Sequence, residues 1–227
     1  MTANLATEAV QIPVWADVLA ISIGSAQGAA FTANCRERRI DILGVCILGT
    51  IAGLGGSVLR DVQLGVVPVM LTNNAYLIAA LVAALIGMLA QRLFARVDTA
   101  ILVLDAVSVG LYVAIGVTKA LWLGFPPVPS VFVGVAAGVG GSALRDVILG
   151  SRVVLLEVGT LYAVAALAGA LGLLAALAAG LPAALAALVC VLTTTVTRVL
   201  ALVFGWTLPE QRPLTRAALP PIRVRRR

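Results

Sequence analysis

The chain has 227 residues, of which 61% are hydrophobic and only 11% are charged, and it contains no histidine. Because soluble domains carry about 25% charged residues, this composition excludes an ordinary water-soluble domain and is typical of a membrane protein. The formal net charge is +6, but residues 206–227 hold six arginines and one glutamate. A tail of net +5 therefore accounts for most of the excess, and nucleic acid is not expected as a partner.

Seven apolar stretches, separated by charge, proline or glycine, predict seven transmembrane helices and an all-α polytopic membrane fold. The predicted spans are Val14–Ala33, Ile42–Leu59, Leu71–Leu93, Ala100–Ala120, Val128–Leu144, Val153–Ala179 and Ala183–Phe204. Residues 1–205 are predicted to form a single membrane domain, and residues 206–227 a basic cytoplasmic tail.

The arginines predict the orientation of the chain in the membrane. They concentrate in the connections after the first, third and fifth spans and in the tail, all on one side of a seven-span chain. The positive-inside rule places that side in the cytoplasm. The N-terminus is therefore expected outside and the C-terminus inside.

An internal repeat is the most informative feature of the sequence. Residues Gly49–Gly65 match residues Gly134–Gly150 at an offset of 85 positions, and an offset of 88 pairs Asp17 with Asp105. The matched residues in the first copy are Gly53, Gly55, Gly56, Ser57, Arg60 and Asp61, and in the second Gly138, Gly140, Gly141, Ser142, Arg145 and Asp146. Each unit holds three spans, so the second copy enters from the opposite face. The layout is a 3+3 inverted repeat, residues 14–95 and 100–180, with a seventh helix at 183–205.

The glycine motif predicts a break in the second and fifth spans. The segment from Asp41 to Leu71 would extend ~45 Å as one helix, more than the ~30 Å of a bilayer core. Glycine tolerates the backbone dihedral angles that a helix break requires. Ser57 is a candidate N-cap for the half-helix that follows. Two such breaks would place backbone carbonyls near the bilayer midplane, where transport proteins bind ions or solutes. The alternative is that the glycines only allow close helix packing.

Each glycine motif is followed by an Arg-Asp pair, Arg60-Asp61 and Arg145-Asp146. A charge at the bilayer centre costs at least ~2.5–3.5 kcal/mol. A helix contact that serves packing alone would not require these residues. Each pair either lines a pore or stabilises its helix as an internal ion pair. Lys119, the only lysine, either extends to the interface or faces the pore as a positive charge.

Three further charges lie in or near the spans. Asp17 and Asp105 occupy equivalent positions in the two repeats, and they are either vestibule charges that concentrate cations or carboxylates favoured at helix N-termini. Arg198 lies within the seventh span and is expected to extend towards the cytoplasmic headgroups.

Two copies of Gly-x-Gly-Gly-x-x-x-Arg-Asp in a seven-span layout, with an aspartate at the head of each repeat, resemble the prokaryotic branch of the trimeric intracellular cation (TRIC) channel family. This resemblance covers residues 14–205. It implies a homotrimer in a prokaryotic cell membrane, with a potassium-conducting pore inside each protomer lined by the first, second, fourth and fifth helices. It also makes Lys119 similar to the basic residue of the family's fourth helix.

The sequence and the resemblance together predict a passive monovalent cation channel, with potassium as the permeant ion and no cofactor. No TVGYG-like filter is present, so selectivity would come from carbonyls and from hydroxyls such as those of Ser57, Ser142 and Thr118. The three cysteines lack metal-ligand spacing, and no metal site is predicted.

The alternatives are a secondary transporter of a small solute, for which inverted repeats are equally typical, and a structural membrane protein. No enzyme is expected, since histidine, a carboxylate cleft and a nucleophile elbow are all missing. The expected partners are other copies of the chain, membrane lipids and anionic headgroups at the tail.

Overall fold

The computed structural model describes residues 13–35, 39–94, 98–153, 155 and 161–207. These residues form eight α-helices: α1 (Val14–Ala33), α2 (Ile42–Gln63), α3 (Val69–Thr72), α4 (Asn74–Phe94), α5 (Asp98–Trp122), α6 (Pro127–Leu149), α7 (Tyr162–Ala178) and α8 (Ala183–Phe204). Six of them are long and apolar enough to cross a membrane, and α7 is a shorter apolar helix. The prediction of an all-α polytopic membrane fold is confirmed. The one-turn helix α3 was not predicted, and α7 begins later than the predicted sixth span.

Local sequence signals set the ends of the two central helices. The Asp41 carboxylate caps α2 by accepting a hydrogen bond of 2.7 Å from the backbone N–H of Gly44. Proline occupies the first turn of α6, where its missing N–H costs nothing, and Gly150 ends α6 with a φ of 62°. The tail at residues 208–227 lies outside the described residues.

The packing centres on two helices, α2 and α6. Helices α2 and α6 pack against each other, α1 packs against α2 and α4, and α5 packs against α6 and α8. In α5, 72% of the apolar span is buried, against 22% in α4 and in α8. Helices α4 and α8 therefore turn apolar faces outward, towards lipid or a neighbouring chain.

Side-chain contacts show that α2 and α6 run in opposite directions. Arg60, near the end of α2, bonds to Asp17 at the start of α1. Arg145, near the end of α6, stacks on Phe31 close to the end of α1. The second helices of the two repeats therefore end at opposite ends of α1, as an inverted repeat requires.

The glycine motifs do not break either helix. Helices α2 and α6 are continuous through them, and the Ser57 hydroxyl donates to the Leu54 carbonyl within α2. The predicted breaks in the second and fifth spans, and the predicted N-cap at Ser57, are therefore wrong. The 22 residues of α2 span about 33 Å, which fits a bilayer. The remaining length up to Leu71 is taken up by residues 64–68 and α3.

The glycines instead allow α2 and α6 to touch through their backbones. A Cβ atom at Gly56 would lie 2.3 Å from the carbonyl oxygen of Ala137, and one at Gly141 would lie 2.1 Å from that of Ala52. No side chain fits at such distances. The glycines therefore serve the close packing of α2 against α6 at the centre of the bundle.

Candidate functional site

Four charged side chains meet at one end of the bundle, and we name them the Arg60 cluster: Asp17, Arg60, Asp61 and Lys119. The guanidinium of Arg60 donates to both carboxylate oxygens of Asp17, at 3.0 and 3.2 Å, and its Nε donates to Asp61 at 2.7 Å. Arg60 and Asp61 are completely buried. Two-point pairing of this kind is the strongest form of an arginine–carboxylate contact.

Asp61 is the centre of this cluster because three donors converge on its carboxylate. Besides Arg60, these are the ammonium of Lys119, at 2.7 Å, and the backbone N–H of Val69, at 2.9 Å. The bond to Val69 fixes the start of α3 against the end of α2. Lys119 is 20% exposed, so it turns inward to Asp61 while remaining the most accessible member of the cluster.

A small polar cavity lies at the α2–α6 crossing, midway along the bundle. It has a volume of about 10 Å³, which is room for about one water molecule. Its polar lining comes from Gln27, Asp105, Ser108, Tyr112, Ser142 and Tyr162. The hydroxyl of Tyr112 donates to the carbonyl of Gly53 beside it. This contact ties α5 to α2 beside the cavity.

The second group of charges, the Arg145 cluster, lies at the opposite end: Asp105, Arg145, Asp146 and Arg198. Arg145 donates to Asp146 through Nε at 3.0 Å and Nη2 at 2.7 Å. It also contacts α1, where Nη1 donates to the Gln27 amide oxygen at 3.4 Å and the guanidinium carbon lies 3.9 Å from the centre of the Phe31 ring.

Asp105 is held by donors other than Arg145. Nη2 of Arg198 donates to one carboxylate oxygen at 2.5 Å, and the Tyr162 hydroxyl donates to the other at 3.1 Å. The Tyr162 hydroxyl also lies 3.0 Å from that of Ser142. The guanidinium carbon of Arg198 lies 3.7 Å from the centre of the Tyr162 ring, a cation–π contact. Helices α5, α6, α7 and α8 are thereby linked at one point.

A larger cavity, of about 60 Å³, lies beside the Arg145 cluster. Its polar lining residues are Gln27, Asp105, Ser142, Arg145, Tyr162 and Arg198. Its apolar lining residues are Phe31, Ile101 and Leu102, and the Phe31 ring packs against the Arg145 guanidinium. Leu102 is 37% exposed, so one of the lining residues of this cavity reaches the surface of the bundle.

The structure corrects two of the predicted positions. Arg198 does not extend to the headgroups, because it is 3% exposed and neutralises the buried carboxylate of Asp105. Asp105 is not a carboxylate of a helix N-terminus, because it lies two turns inside α5. Asp17 does lie in the first turn of α1, where it is the partner of Arg60.

The predicted hydroxyls fall in different surroundings. Ser57, Thr118 and Ser142 each donate to a carbonyl of their own helix, but Ser142 alone of the three also lines both cavities. Sequence reasoning missed Gln27, Tyr112 and Tyr162. A signal for Tyr162 was available, because it follows Tyr76 by 86 residues, close to the repeat offset.

The fold and these clusters define a polytopic membrane protein of the TRIC channel fold. A crystal structure of the TRIC trimeric intracellular cation channel orthologue from Rhodobacter sphaeroides aligns with 85% of this chain and 98% of that chain. The two are 32% identical, with a TM-score of 0.77. The resemblance predicted from the repeated motif is confirmed.

The model of the family described as "Glycine transporter" matches residues 14–92 and 102–178, and the chain belongs to this family. A UPF0126 membrane protein of Deinococcus radiodurans is 32% identical over 158 residues, which cover 69% of this chain and 72% of that protein. The UPF0126 inner membrane protein YadS of Escherichia coli is also 32% identical, over 59% of this chain and 64% of that protein.

Proposed function

We propose that the chain is a passive channel for monovalent cations, with potassium as the permeant ion, and that each protomer of a homotrimer holds its own path. The observation that carries the proposal is the line of polar groups along the α2–α6 crossing. It runs from the Arg60 cluster through the Tyr112–Gly53 contact and the central cavity to the Arg145 cluster. The likeness to the Rhodobacter TRIC cation channel supports it.

The proposed path uses oxygen atoms in place of a dedicated filter. Carbonyl and hydroxyl oxygens replace the hydration shell of a cation without requiring a fixed negative charge. Near the centre, such oxygens are the Gly53 carbonyl and the hydroxyls of Ser108, Tyr112 and Ser142. The central cavity has room for about one water molecule, so the proposed path is narrow at this point. Conduction requires that the Tyr112 hydroxyl leave the Gly53 carbonyl.

The surroundings of the channel belong to the same proposal. The arginine distribution supports an outer N-terminus and a cytoplasmic C-terminus, and the relative YadS is an inner membrane protein. We therefore place the chain in the cell membrane of a prokaryote, with its basic tail near anionic headgroups. The apolar outward faces of α4 and α8 are the surfaces available for trimer contacts or lipid. A mass measurement by light scattering in detergent should give three chains per particle.

The deciding experiment is single-channel recording from the purified protein in a planar bilayer under a KCl gradient. We expect discrete openings that reverse near the potassium equilibrium potential. Tyr112→Phe should raise the open fraction, because it removes the hydroxyl that ties α5 to α2. Cys46→Ser, on the same helix as Gly53, is the matched control and should leave the openings unchanged. Absence of openings in every preparation would refute the channel.

A second candidate, a secondary transporter of a small solute, is favoured by the description of the matching family model as "Glycine transporter" and by the inverted repeat. Counterflow of radiolabelled glycine in liposomes separates the two candidates. Saturable exchange without channel openings would establish the transporter. Openings without exchange would establish the channel. In neither case is the chain an enzyme, and no cofactor is required.

A further inference from the structure

The segment that joins α2 to α4, residues 64–73 and here named the α3 segment, exposes apolar side chains. Val67 is 64% exposed, and Leu71, within α3, is 67% exposed. The sequence carries no acidic or basic residue between Asp61 and Arg92. Because connections that face water are normally rich in polar residues, the α3 segment does not have the composition of an aqueous loop.

The equivalent connection of the second repeat has the opposite character. At the repeat offset of 85 positions, Val67 corresponds to Arg152, which is also exposed. An arginine side chain requires water or lipid headgroups around it, whereas an exposed valine gains free energy when it leaves water. The α3 segment therefore lies in the less polar surroundings of the two.

The backbone of the α3 segment is hydrogen-bonded within the chain. The N–H of Val69 donates to the Asp61 carboxylate at 2.9 Å. Further backbone N–H groups donate to backbone carbonyls at 2.9–3.3 Å, namely those of Leu64, Gly65, Val66, Leu71 and Asn73. Away from water, backbone polar groups need partners inside the protein. These bonds lower the cost of moving the segment out of water and into the membrane interface.

The apolar surface of the α3 segment continues onto a membrane-spanning helix. Helix α3 packs against α4, where Ile78 is 59% exposed and Leu81 is 49% exposed. The residues between Leu71 and α4 are exposed, polar and uncharged. Helix contacts inside membranes favour small residues, so large exposed aliphatic side chains favour lipid over a second copy of the chain. An apolar surface with a neutral polar edge fits the boundary between acyl chains and headgroups.

We propose that the α3 segment is a lipid-binding element that lies in the bilayer interface, with Val67 and Leu71 among the acyl chains of phospholipids. The carboxylate of Asp61 holds it from inside through the N–H of Val69, so one hydrogen bond joins the lipid contact to the Arg60 cluster. The equivalent connection at Arg152 faces water or headgroups. This assignment does not rest on the proposed conduction of cations, since lipid contact is measured without flux.

The test is electron paramagnetic resonance on the full-length, spin-labelled protein in phosphatidylcholine liposomes. The native cysteines are first replaced, by Cys35→Ser, Cys46→Ser and Cys190→Ala. One label is then attached through Val67→Cys or Leu71→Cys, and Arg152→Cys is the matched control at the equivalent position. Oxygen concentrates in lipid and a nickel chelate stays in water. We expect the ratio of oxygen to nickel collisions to be about threefold higher at positions 67 and 71 than at 152.

Two results would overturn the proposal. A ratio at position 67 or 71 no higher than at 152 would place the segment in water. Low collision rates with both reagents would show that protein covers it, and dipolar broadening between labels would identify that protein as a second copy of the chain.

Gel filtration and thermal unfolding establish that each labelled protein is folded. A second measurement needs no substitution: a lipid-soluble phenyldiazirine is photolysed in liposomes that hold the unmodified protein, and the modified residues are mapped by mass spectrometry. Residues 64–73 should be modified more strongly than residues 150–153. Equal or weaker modification would refute the lipid contact.

Discussion

The Arg60 cluster and the Arg145 cluster grow from the same repeated motif but pair their residues differently. Arg60 bonds to Asp17 and Asp61, both within its own repeat. Arg145 bonds to Asp146 of its own repeat, but its other contacts are Gln27 and Phe31 in the first repeat. Asp105, the equivalent of Asp17, is left to Arg198. The same spacing in the two repeats therefore does not determine which residues the arginine contacts. Those contacts depend on the helix that packs beside it.

Each cluster contains two acidic and two basic residues, and in each the second base comes from outside the repeat that supplies the motif. In the Arg60 cluster this base is Lys119, from α5. In the Arg145 cluster it is Arg198, from α8. Buried charges must be matched locally because desolvation is expensive. The same requirement is thus met by two different helices.

The largest effect is expected for Arg60→Gln. This change leaves the buried carboxylates of Asp17 and Asp61 with Lys119 as their remaining cation, at a cost of about 3–5 kcal/mol in the free energy of unfolding. Denaturant-induced unfolding in detergent measures the loss. The double variant Arg60→Gln/Asp17→Asn should recover part of it, because one orphaned charge is removed. The control is Arg152→Gln, which changes an exposed arginine. Stability of Arg60→Gln equal to that of this control would show that the Arg60 cluster does not stabilise its end of the bundle.

The next largest effects are expected for the two buried tyrosines, and the loss of stability should be larger for Tyr162 than for Tyr112. Tyr162→Phe removes a hydrogen bond to the charged carboxylate of Asp105 and should cost about 1.5–3 kcal/mol. Tyr112→Phe removes a hydrogen bond to a neutral carbonyl, that of Gly53, and should cost about 0.5–1.5 kcal/mol. The same unfolding assay compares them. A larger loss for Tyr112→Phe would mean that the central contact, and not the charged end, stabilises α5.

The crossing that separates the two clusters offers a matched pair of neighbouring glycines. A Cβ at Gly141 meets the Ala52 carbonyl oxygen at 2.1 Å, whereas one at Gly140 meets only the movable end of the Leu59 side chain. Gly141→Ala should therefore be less stable than Gly140→Ala by about 1–3 kcal/mol. The gain in helix propensity is common to both and cancels. Equal stabilities would mean that α2 and α6 can separate without cost.

The smallest effect is expected for Lys119→Gln. Lys119 is partly exposed, and Asp61 keeps its bonds to Arg60 and Val69 without it, so the loss should be about 1 kcal/mol or less. Thermal unfolding in detergent checks this value. A loss as large as that of Arg60→Gln would contradict the view that Asp61 is matched mainly by Arg60.

The apolar helices and their order could be predicted because each is a continuous apolar run, although among the described residues six of them, not seven, are long enough to cross a membrane. The inverted repeat could be predicted from the offset that pairs Gly56 with Gly141. The helix breaks were predicted wrongly because a glycine that permits a bend and a glycine that permits close packing look alike in sequence. The carbonyl of Ala137 against Gly56 distinguishes them, and it lies on another helix.

The two charged clusters could be predicted only in part, because some of their contacts come from helices distant in sequence. Local spacing marks Arg60-Asp61 and Arg145-Asp146 as candidate ion pairs, and both pairs form. The bond from Arg198 to Asp105 joins residues 93 positions apart, and no periodicity links them. Tertiary packing alone places α8 beside α5.

The position of Arg198 also bears on how such a chain can arise by duplication. Two fused copies of a three-helix unit would bury Asp105 without the cation that now bonds to it, because Arg145 is engaged elsewhere. The appended helix α8 supplies that cation. The second repeat therefore pairs its buried carboxylate with a residue of a helix outside it, whereas the first repeat pairs Asp17 with its own Arg60.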